Sequence, residues 1–275
     1  MITCLPAILI AQEKVYESFA GTRVINNHST ECLEKNNLEF IVAHKFGDFS
    51  GQNGGLSNFF GFDNLADVRI AFEYGIINDL TVGIGRNKGI GERTQVLDGF
   101  VKYRILHQKT SGMPISMVMV LSAGLPYHKR SNDSTSVRYY PEFQHRLIYT
   151  SQLLLTRKFH PRFTWQVGLG YNHRNYVSAL DKNGLTFVST GARFRFTKTL
   201  GILVEYTHVL NRPRLVVQQD HLAFSFEILT GGHIFALQFS NSTGVNENIF
   251  IPGTTENWLD GQWRFGFSLN RRFKL

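Results

Sequence analysis

The chain has 275 residues, a formal net charge of +8 and a hydrophobic fraction of 43%. No apolar run approaches the roughly 18 residues that a membrane-spanning helix needs, which excludes a helical membrane protein. The lysines and arginines are scattered singly and form no phosphate-binding patch, so we expect no nucleic-acid partner. The 25 glycines, 23 phenylalanines and 10 tyrosines suit many short β-strands better than a helical bundle.

Residues 1–11 are similar to the end of a secretory signal peptide, with a short apolar core followed by Ala11. A basic stretch before this core is missing, so we interpret the segment as a truncated signal. Residues 12–37 would then precede the first strand, either in the periplasm or folded into the interior of the domain. Cys4 would be removed with the signal, which leaves Cys32 without an internal disulfide partner.

Alternation of apolar and polar residues predicts about twelve strands along the chain. In the segment 163–173, for example, Phe163, Trp165 and Leu169 alternate with polar residues or glycine. The segment 115–125 is apolar on both faces, so its orientation stays open. The predicted strands are 38–46, 66–75, 80–87, 95–106, 115–125, 143–158, 163–173, 185–196, 201–210, 221–229, 233–241 and 262–275.

The last strand runs to the end of the chain and has one aromatic face. Trp263, Phe265, Phe267 and Phe273 share one parity, whereas Arg264 and other polar residues share the opposite one. We expect such a terminal strand to close a barrel by pairing with the first strand, 38–46.

The links between strands alternate in length. Short turns are predicted at 76–79, 160–162, 197–199 and 231–232, with 107–114 somewhat longer. Long links are predicted at 47–65, 88–94, 126–142, 174–184, 211–220 and 242–261. Transmembrane barrels place short turns in the periplasm and long loops outside. We therefore predict an all-β fold, a single antiparallel up-and-down transmembrane β-barrel of about 12 strands spanning 38–275, over the alternative of a soluble sandwich or lipocalin-like barrel.

Several stretches carry a family resemblance over most of residues 20–275. They are Thr22-Arg-Val-Ile-Asn-Asn-His-Ser29, His44-Lys-Phe-Gly47, Leu56-Ser-Asn-Phe-Phe-Gly-Phe-Asp63, Phe72-Glu-Tyr-Gly75, Leu80-Thr-Val-Gly-Ile-Gly-Arg86, Asp98-Gly-Phe-Val-Lys-Tyr103, the segment from Thr230 to Asn241, and Trp263-Arg-Phe-Gly-Phe267. Together they resemble a family of porin-like outer-membrane β-barrels of Gram-negative bacteria classed as a domain of unknown function. The resemblance implies the fold and a location in the outer membrane, and it implies no substrate and no catalytic residue.

If the aromatic parity faces lipid, the opposite parity lines the lumen. The predicted basic lining is Arg69, Lys102, Arg104, Arg146, Lys158, Arg193, Arg195 and Arg264. The predicted acidic lining is Glu73, Asp98, Glu205 and Glu227. This set has a net charge of +4, which would favour small anionic solutes in an open channel. Aromatic residues expected at the membrane interfaces are Tyr74, Trp165, Tyr171, Trp263 and Phe273.

The size of the barrel limits what can pass. Twelve strands spaced by about 4.8 Å and tilted by about 40° give a backbone radius of roughly 12 Å, and inward side chains reduce the opening to a few ångströms. Two alternatives stay open, namely a narrow anion-preferring channel and a barrel plugged by its own side chains or by residues 12–37.

Enzymatic activity is the rival hypothesis. His44, His173 and His208 fall near the outer strand ends, where a lipid hydrolase could place its site, but no serine lies beside any of them and Ser178 is in a loop. We expect no catalytic residue, no metal ligand set and no cofactor. Besides outer-membrane lipid, a surface lipoprotein could dock on the long loops, and the oligomeric state stays open.

Overall fold

The computed structural model describes residues 13–89 and 95–275, so the predicted signal segment 1–11 lies outside the described residues. Twelve antiparallel strands join in chain order into a closed barrel. The strands are β1 (Asn37–Asp48), β2 (Leu65–Ile77), β3 (Leu80–Gly89), β4 (Val96–Leu106), β5 (Ser116–Pro126), β6 (Ile148–His160), β7 (Phe163–Arg174), β8 (Gly184–Arg195), β9 (Leu200–Val209), β10 (His221–Thr230), β11 (His233–Ser240) and β12 (Arg264–Lys274). The predicted fold class and strand number are confirmed.

The first and last strands close the barrel. β1 pairs with β12 from Asn37 opposite Lys274 to Asp48 opposite Arg264, with a register shift after Lys45. The same strand pairs with β2 on its other edge, so no strand of the barrel has a free edge. Both ends of the described chain lie at one end of the barrel, here named the terminal end. The opposite end, which carries the long loops, is named the loop end.

The two faces of the wall have opposite character. On β7, Trp165 and Leu169 are 47% and 54% exposed on the outside, whereas Gln166 and Asn172 are buried inside. This arrangement inverts that of a soluble barrel, whose apolar side chains point inward. The sequence did not decide which face of β5 points inward. Its Val118 and Val120 point inward and form a small apolar cluster with Phe100 and Leu154.

The links differ from the predictions in three places. The predicted strand 143–158 begins only at Ile148, because residues Phe143–Arg146 form a 3₁₀ turn. Two long loops contain short helices. The loop 49–64 holds a 3₁₀ segment, Leu56–Gly61, and the loop 241–263 holds the helix α1, Glu247–Gly253, and a 3₁₀ turn, Trp258–Asp260.

Helix α1 is capped by Asn246, whose side chain accepts a hydrogen bond from the backbone N–H of Asn248. None of the helices in the described residues is long and apolar enough to cross a membrane.

Closure leaves no room beside Gly266 of β12. A Cβ atom at this position would lie 2.6 Å from the carbonyl oxygen of His44 on the neighbouring β1. We expect Gly266→Val to weaken the closing pair and to destabilise the barrel by about 1–3 kcal/mol. The measurement is the fraction of unboiled protein that runs as a folded, faster-migrating band on a denaturing gel.

The control is Gly231→Ala in the turn between β10 and β11, where a Cβ atom meets nothing within 4 Å. An unchanged folded fraction for the Gly266 variant after heating through a temperature series would contradict this account of closure.

Candidate functional site: the filled lumen

The N-terminal segment enters the lumen from the terminal end and turns back on itself. Residues 18–33, here named the inner plug, are buried over most of their length. Its tip is a tight hairpin, in which the N–H of Val24 donates to the carbonyl of Asn27 and the N–H of Ser29 donates to that of Thr22, each at 2.9 Å. Residues 18–33 therefore occupy the interior, one of the two positions that the sequence left open for the N-terminal segment.

The tip of the inner plug is held by one carboxylate of the wall. Glu205 of β9 accepts backbone N–H groups from Ile25, Asn26 and Asn27 at 2.9–3.1 Å. The Asn26 side chain donates to the same carboxylate at 3.0 Å, and His221 Nε2 lies 2.8 Å from it. A concave run of successive N–H groups is a strong anion site, so Glu205 acts as a latch for the tip.

The stem of the inner plug is held by cations of the wall. Lys102 Nζ donates to the carbonyl oxygens of Thr22 at 2.6 Å and Glu31 at 3.2 Å. Arg104 donates to the carbonyl of Thr30 at 3.1 Å. These two bases were predicted to line a pore, and the structure places both inward but against plug backbone.

Lys158 holds the chain where it enters the barrel. Its Nζ donates to the carbonyl oxygens of Tyr16 at 2.9 Å and Glu17 at 3.1 Å. The wall thus binds the N-terminal segment at the mouth, along the stem and at the tip.

A second plug enters from the loop end. Residues 241–254, here named the outer plug, include α1 and are almost entirely buried. Lys45 of β1 donates to the carbonyl oxygens of Ser242 at 3.1 Å and Gly244 at 2.8 Å. Phe250 of α1 is 1% exposed and packs among Leu185, Phe187 and other inward apolar side chains.

The two plugs meet at a buried ionic contact. Arg23 of the inner plug lies 3.1 Å from Glu247 of the outer plug and 3.8 Å from Glu73 of β2. His28 Nε2 is 3.1 Å from the same Glu247, and its ring stands edge-on to Phe100 at 4.6 Å.

The groups that face His28 are Arg23, Glu247 and Lys102. Burial, followed by the charge of Arg23, lowers the pKa of His28 to about 4. At neutral pH the ring is therefore uncharged and can donate a hydrogen bond from Nε2 to Glu247.

Ion pairs within the wall complete the lumen. Arg69 bonds Asp98 at 2.6 Å, and Arg193 bonds Glu227 at 2.5 Å. Arg272, near the end of β12, reaches Glu39 at 2.7 Å. A buried charge without a partner destabilises the fold, and each of these pairs provides a partner within the wall.

Twelve charged residues of the predicted strands were expected to line the lumen. Eleven of them lie on strands of the structure, and one lies on a turn. Arg69, Glu73, Asp98, Lys102, Arg104, Arg193, Glu205 and Glu227 are buried inside the barrel. Lys158 and Arg195 lie toward the terminal end and Arg264 at the loop end, half-buried. The expectation for Arg146 is wrong. It belongs to the 3₁₀ turn before β6 and donates to the carbonyl oxygens of Pro126 and His128, because the strand starts two residues later.

The prediction missed several charged groups of the lumen. Glu39, Lys45 and Asp67 are each 1% exposed and face inward, and their parity within predicted strands would have identified them. Arg23, His28 and Glu247 belong to the plugs, where no alternating pattern indicates a direction. With these groups included, the predicted excess of four positive charges does not describe the filled lumen.

Space remains along one side of the plugs. A cavity of about 320 Å³ opens at the terminal end beside Glu39, Arg193 and Arg272, and a smaller one of about 40 Å³ lies deeper beside Arg23 and Gln238. Ile234 and Asn270 line both cavities. The two spaces therefore follow each other along β11, β12 and β1.

The predicted interface aromatics lie on the outer wall near its two ends. Trp165, Tyr171 and Phe273 are 39–47% exposed. Tyr74 donates its hydroxyl to Asn36 at 3.1 Å, and Trp263 lies just before β12 with its ring on Phe224. Among residues 13–89 and 95–275, no cluster of histidine, cysteine and carboxylate side chains could hold a metal ion.

Comparisons with known proteins agree with this architecture. The sequence profile of a family described as "Membrane bound beta barrel domain" matches residues 19–273. No curated protein sequence matches the chain significantly. The solved structure of the KdgM porin is similar, with 8% identity and a TM-score of 0.50 over 86% of this chain and 99% of that one.

Two further solved structures are similar in fold. The KdgM porin in complex with disordered oligogalacturonate has 9% identity and a TM-score of 0.50, over 86% of this chain and 99% of that one. The NanC porin has 10% identity and a TM-score of 0.49, over 86% of this chain and all of that one.

The latch at Glu205 can be tested by removing its charge. We expect Glu205→Gln to weaken the hydrogen bonds to Ile25, Asn26 and Asn27 by about 1.5–3 kcal/mol, which corresponds to roughly 10- to 100-fold faster amide exchange at these residues. Hydrogen exchange of the folded protein in detergent measures it. Glu227→Gln is the matched control, because Glu227 is a buried carboxylate of the same wall that bonds Arg193 and not the plug. Equal exchange in both variants would contradict a latch at Glu205.

Acidification should loosen the plugs through His28. Its pKa is about 4 in the filled lumen against 6.5 in water, so the displaced form binds a proton that the filled form excludes as the pH falls from 6.5 towards 4. We expect the exchange of the inner-plug amides, corrected for intrinsic rates, to rise by up to about tenfold per pH unit in this window and to be flat above it.

The variant His28→Gln should lose the part of this pH dependence that His28 contributes. A pH profile that is identical in the variant and the natural protein would contradict the assignment to His28.

Proposed function

We propose, since the chain belongs to the membrane bound beta barrel domain family (DUF5777), that this β-barrel of the outer membrane is a narrow porin-like channel closed by its own two plugs. The observation that carries the proposal is the way in which the inner plug is held. Its backbone is bound by side chains of the wall, Glu205, Lys102 and Lys158, through polar contacts that water can replace.

Polar contacts of this kind favour a reversible closure. Each of these hydrogen bonds to a charged group contributes only about 1.5–3 kcal/mol net, because the separated groups bond to water instead. An apolar core would resist opening far more strongly, since its surfaces have no partner in water. The apolar cluster that the inner plug forms with the wall is small and consists of Phe19, Val24 and Ile25 with Leu203 and Ala223.

The charges of the wall favour anions in the open state. Basic residues outnumber acidic ones among the inward-facing charges of the strands, with Lys45, Arg69, Lys102, Arg104, Lys158, Arg174, Arg193, Arg195, Arg264 and Arg272 against Glu39, Asp67, Glu73, Asp98, Glu205 and Glu227. The plugs offset little of this charge, because residues 18–33 have one acid and one base, and residues 241–254 have one acid and no base. With the plugs displaced, the basic wall lines the open lumen and attracts small anions.

The solute size follows from the wall. A twelve-stranded barrel leaves an opening of only a few ångströms even without plugs, whereas general porins use 16–18 strands. We therefore propose small anionic solutes as the cargo. The solute path begins in the cavities along β11, β12 and β1. Displacement of the plugs would only have to widen a space that already exists there.

A disulfide between plug and wall tests the channel. An ideal Cβ atom built on Gly191 of β8 lies 3.6 Å from the Cβ of Val24, which is within the range of a disulfide. In a Cys4→Ser, Cys32→Ser background, we expect Val24→Cys with Gly191→Cys to conduct in planar bilayers when reduced and to lose this conductance when oxidised. Each single cysteine variant is a control and should show no redox dependence. Equal conductance in both redox states, or silence of the natural and reduced proteins, would overturn the proposal.

The same bilayers measure the preference for anions. With a gradient of KCl across the bilayer, we expect a reversal potential of the sign that Cl⁻ permeation produces. The opposite sign would contradict the proposed role of the basic wall and leave the channel itself in place.

A hydrolase at the outer rim is the second candidate. His208 Nδ1 lies 3.0 Å from Asp220, an arrangement that serine hydrolases use to orient their base. Within residues 13–89 and 95–275, the hydrogen bonds of His208 run to Asp220 and Arg212, not to a serine or threonine. The geometry therefore supports the channel better, and an assay of phospholipid hydrolysis separates the two.

A further inference from the structure

The first long loop, residues 49–64, lies on the outside of the barrel wall instead of standing up from it. Phe62 packs on Phe46 of β1 at 4.9 Å between ring centroids and on Phe265 of β12 at 5.3 Å. Phe49, at the start of the loop, contacts Phe60 at 5.4 Å and Phe239 of β11 at 5.5 Å. The partners on the strands all belong to the outward, lipid-facing parity, so the loop extends that apolar surface.

Glycine fixes the loop against the wall. Gly61 has a φ of +82°, and a Cβ atom there would lie 2.7 Å from the backbone of Gly47 on β1. Two bulky residues just before it, Phe59 and Phe60, have φ values of +43° and +54°, in a region that side chains of this kind rarely adopt. Such a conformation persists only where the surroundings determine it, so the seat of the loop on the wall is specific.

The loop leaves large apolar side chains uncovered, beside neutral polar ones such as Gln52 and Ser57. Leu56 is 83% exposed and Phe59 is 61% exposed. No charged residue occurs between Asp48 and Asp63. The loop 127–147 at the same end differs, because it carries Lys129, Arg130 and several further charges. A surface of exposed rings without a charge is unfavourable in water and favourable among hydrocarbon chains.

We infer that the loop 49–64 is a membrane-inserted element, whose Leu56 and Phe59 contact the acyl chains of the outer leaflet. The occupant follows from continuity with the lipid-facing wall on which the loop is seated. The inserted loop widens the apolar belt over β11, β12 and β1, which includes the seam where the barrel closes. The inference is independent of the proposed channel, because it concerns the outer wall alone.

Fluorescence quenching in vesicles tests the contact with lipid. In a Cys4→Ser, Cys32→Ser background, Leu56→Cys is labelled with an environment-sensitive dye and the full chain is reconstituted in phosphatidylcholine vesicles. We expect the dye to lose most of its emission when the acyl chains are brominated and little of it when iodide is added to the water. Ser134→Cys in the loop 127–147 is the matched control, because this exposed position should respond to iodide alone.

A second variant keeps the test independent of a folding defect. Adding Gly61→Val to the labelled protein should displace the loop from the wall. The dye should then be quenched by iodide and no longer by brominated acyl chains, while the folded band on an unboiled gel is retained. Iodide quenching of the dye at position 56 in the unaltered loop would overturn the inference. A second outcome would also overturn it. If neither quencher reaches the dye and two copies cross-link through position 56, a second copy covers the surface in place of lipid.

Discussion

The closing pair of β1 and β12 is the constraint on which the rest of the structure depends. In a bilayer every backbone N–H and C=O group must find its partner within the protein, and a sheet achieves this only when it has no free edge. Closure also forces every second side chain of each strand into a narrow interior. Polar and charged groups there need partners, since burial without them is costly. The pairs Arg69–Asp98 and Arg193–Glu227 meet this need within the wall.

The plugs meet the same need with backbone groups. Lys102 and Lys158 donate to carbonyl oxygens of the N-terminal segment, Lys45 donates to those of the last loop, and Glu205 accepts N–H groups from the tip. A peptide backbone offers both donors and acceptors, so it satisfies cations and carboxylates of the wall alike. The wall is therefore complementary to the backbone of two segments of its own chain, which cover its charged side chains while they are in place.

Two loops do not simply connect their strands. One folds into the lumen and the other packs on the outer wall, and the same physical reason explains both. The loop 241–263 turns inward, where the carboxylate of Glu247 finds Arg23 and His28. The loop 49–64 has no charge between Asp48 and Asp63 and lies outward, where its phenylalanines pack on rings of the wall. In each case the polarity of the segment matches the surface that holds it.

The sequence by itself determined the strands, their faces and the closed barrel, because the direction of a side chain on a strand alternates residue by residue and leaves a local pattern. The same rule identified Lys102, Glu205 and Glu227 as inward residues, and applied in full it would have identified Glu39, Lys45 and Asp67 as well. Only the tertiary structure decided what these residues bind. The partners of Glu205 lie about 180 positions away along the chain, in a segment without periodicity. Arg146 shows the same limit, since a strand start depends on pairing with neighbours and not on alternation alone. The local pattern thus fixes the wall, whereas contacts between distant, irregular segments decide that the wall is filled.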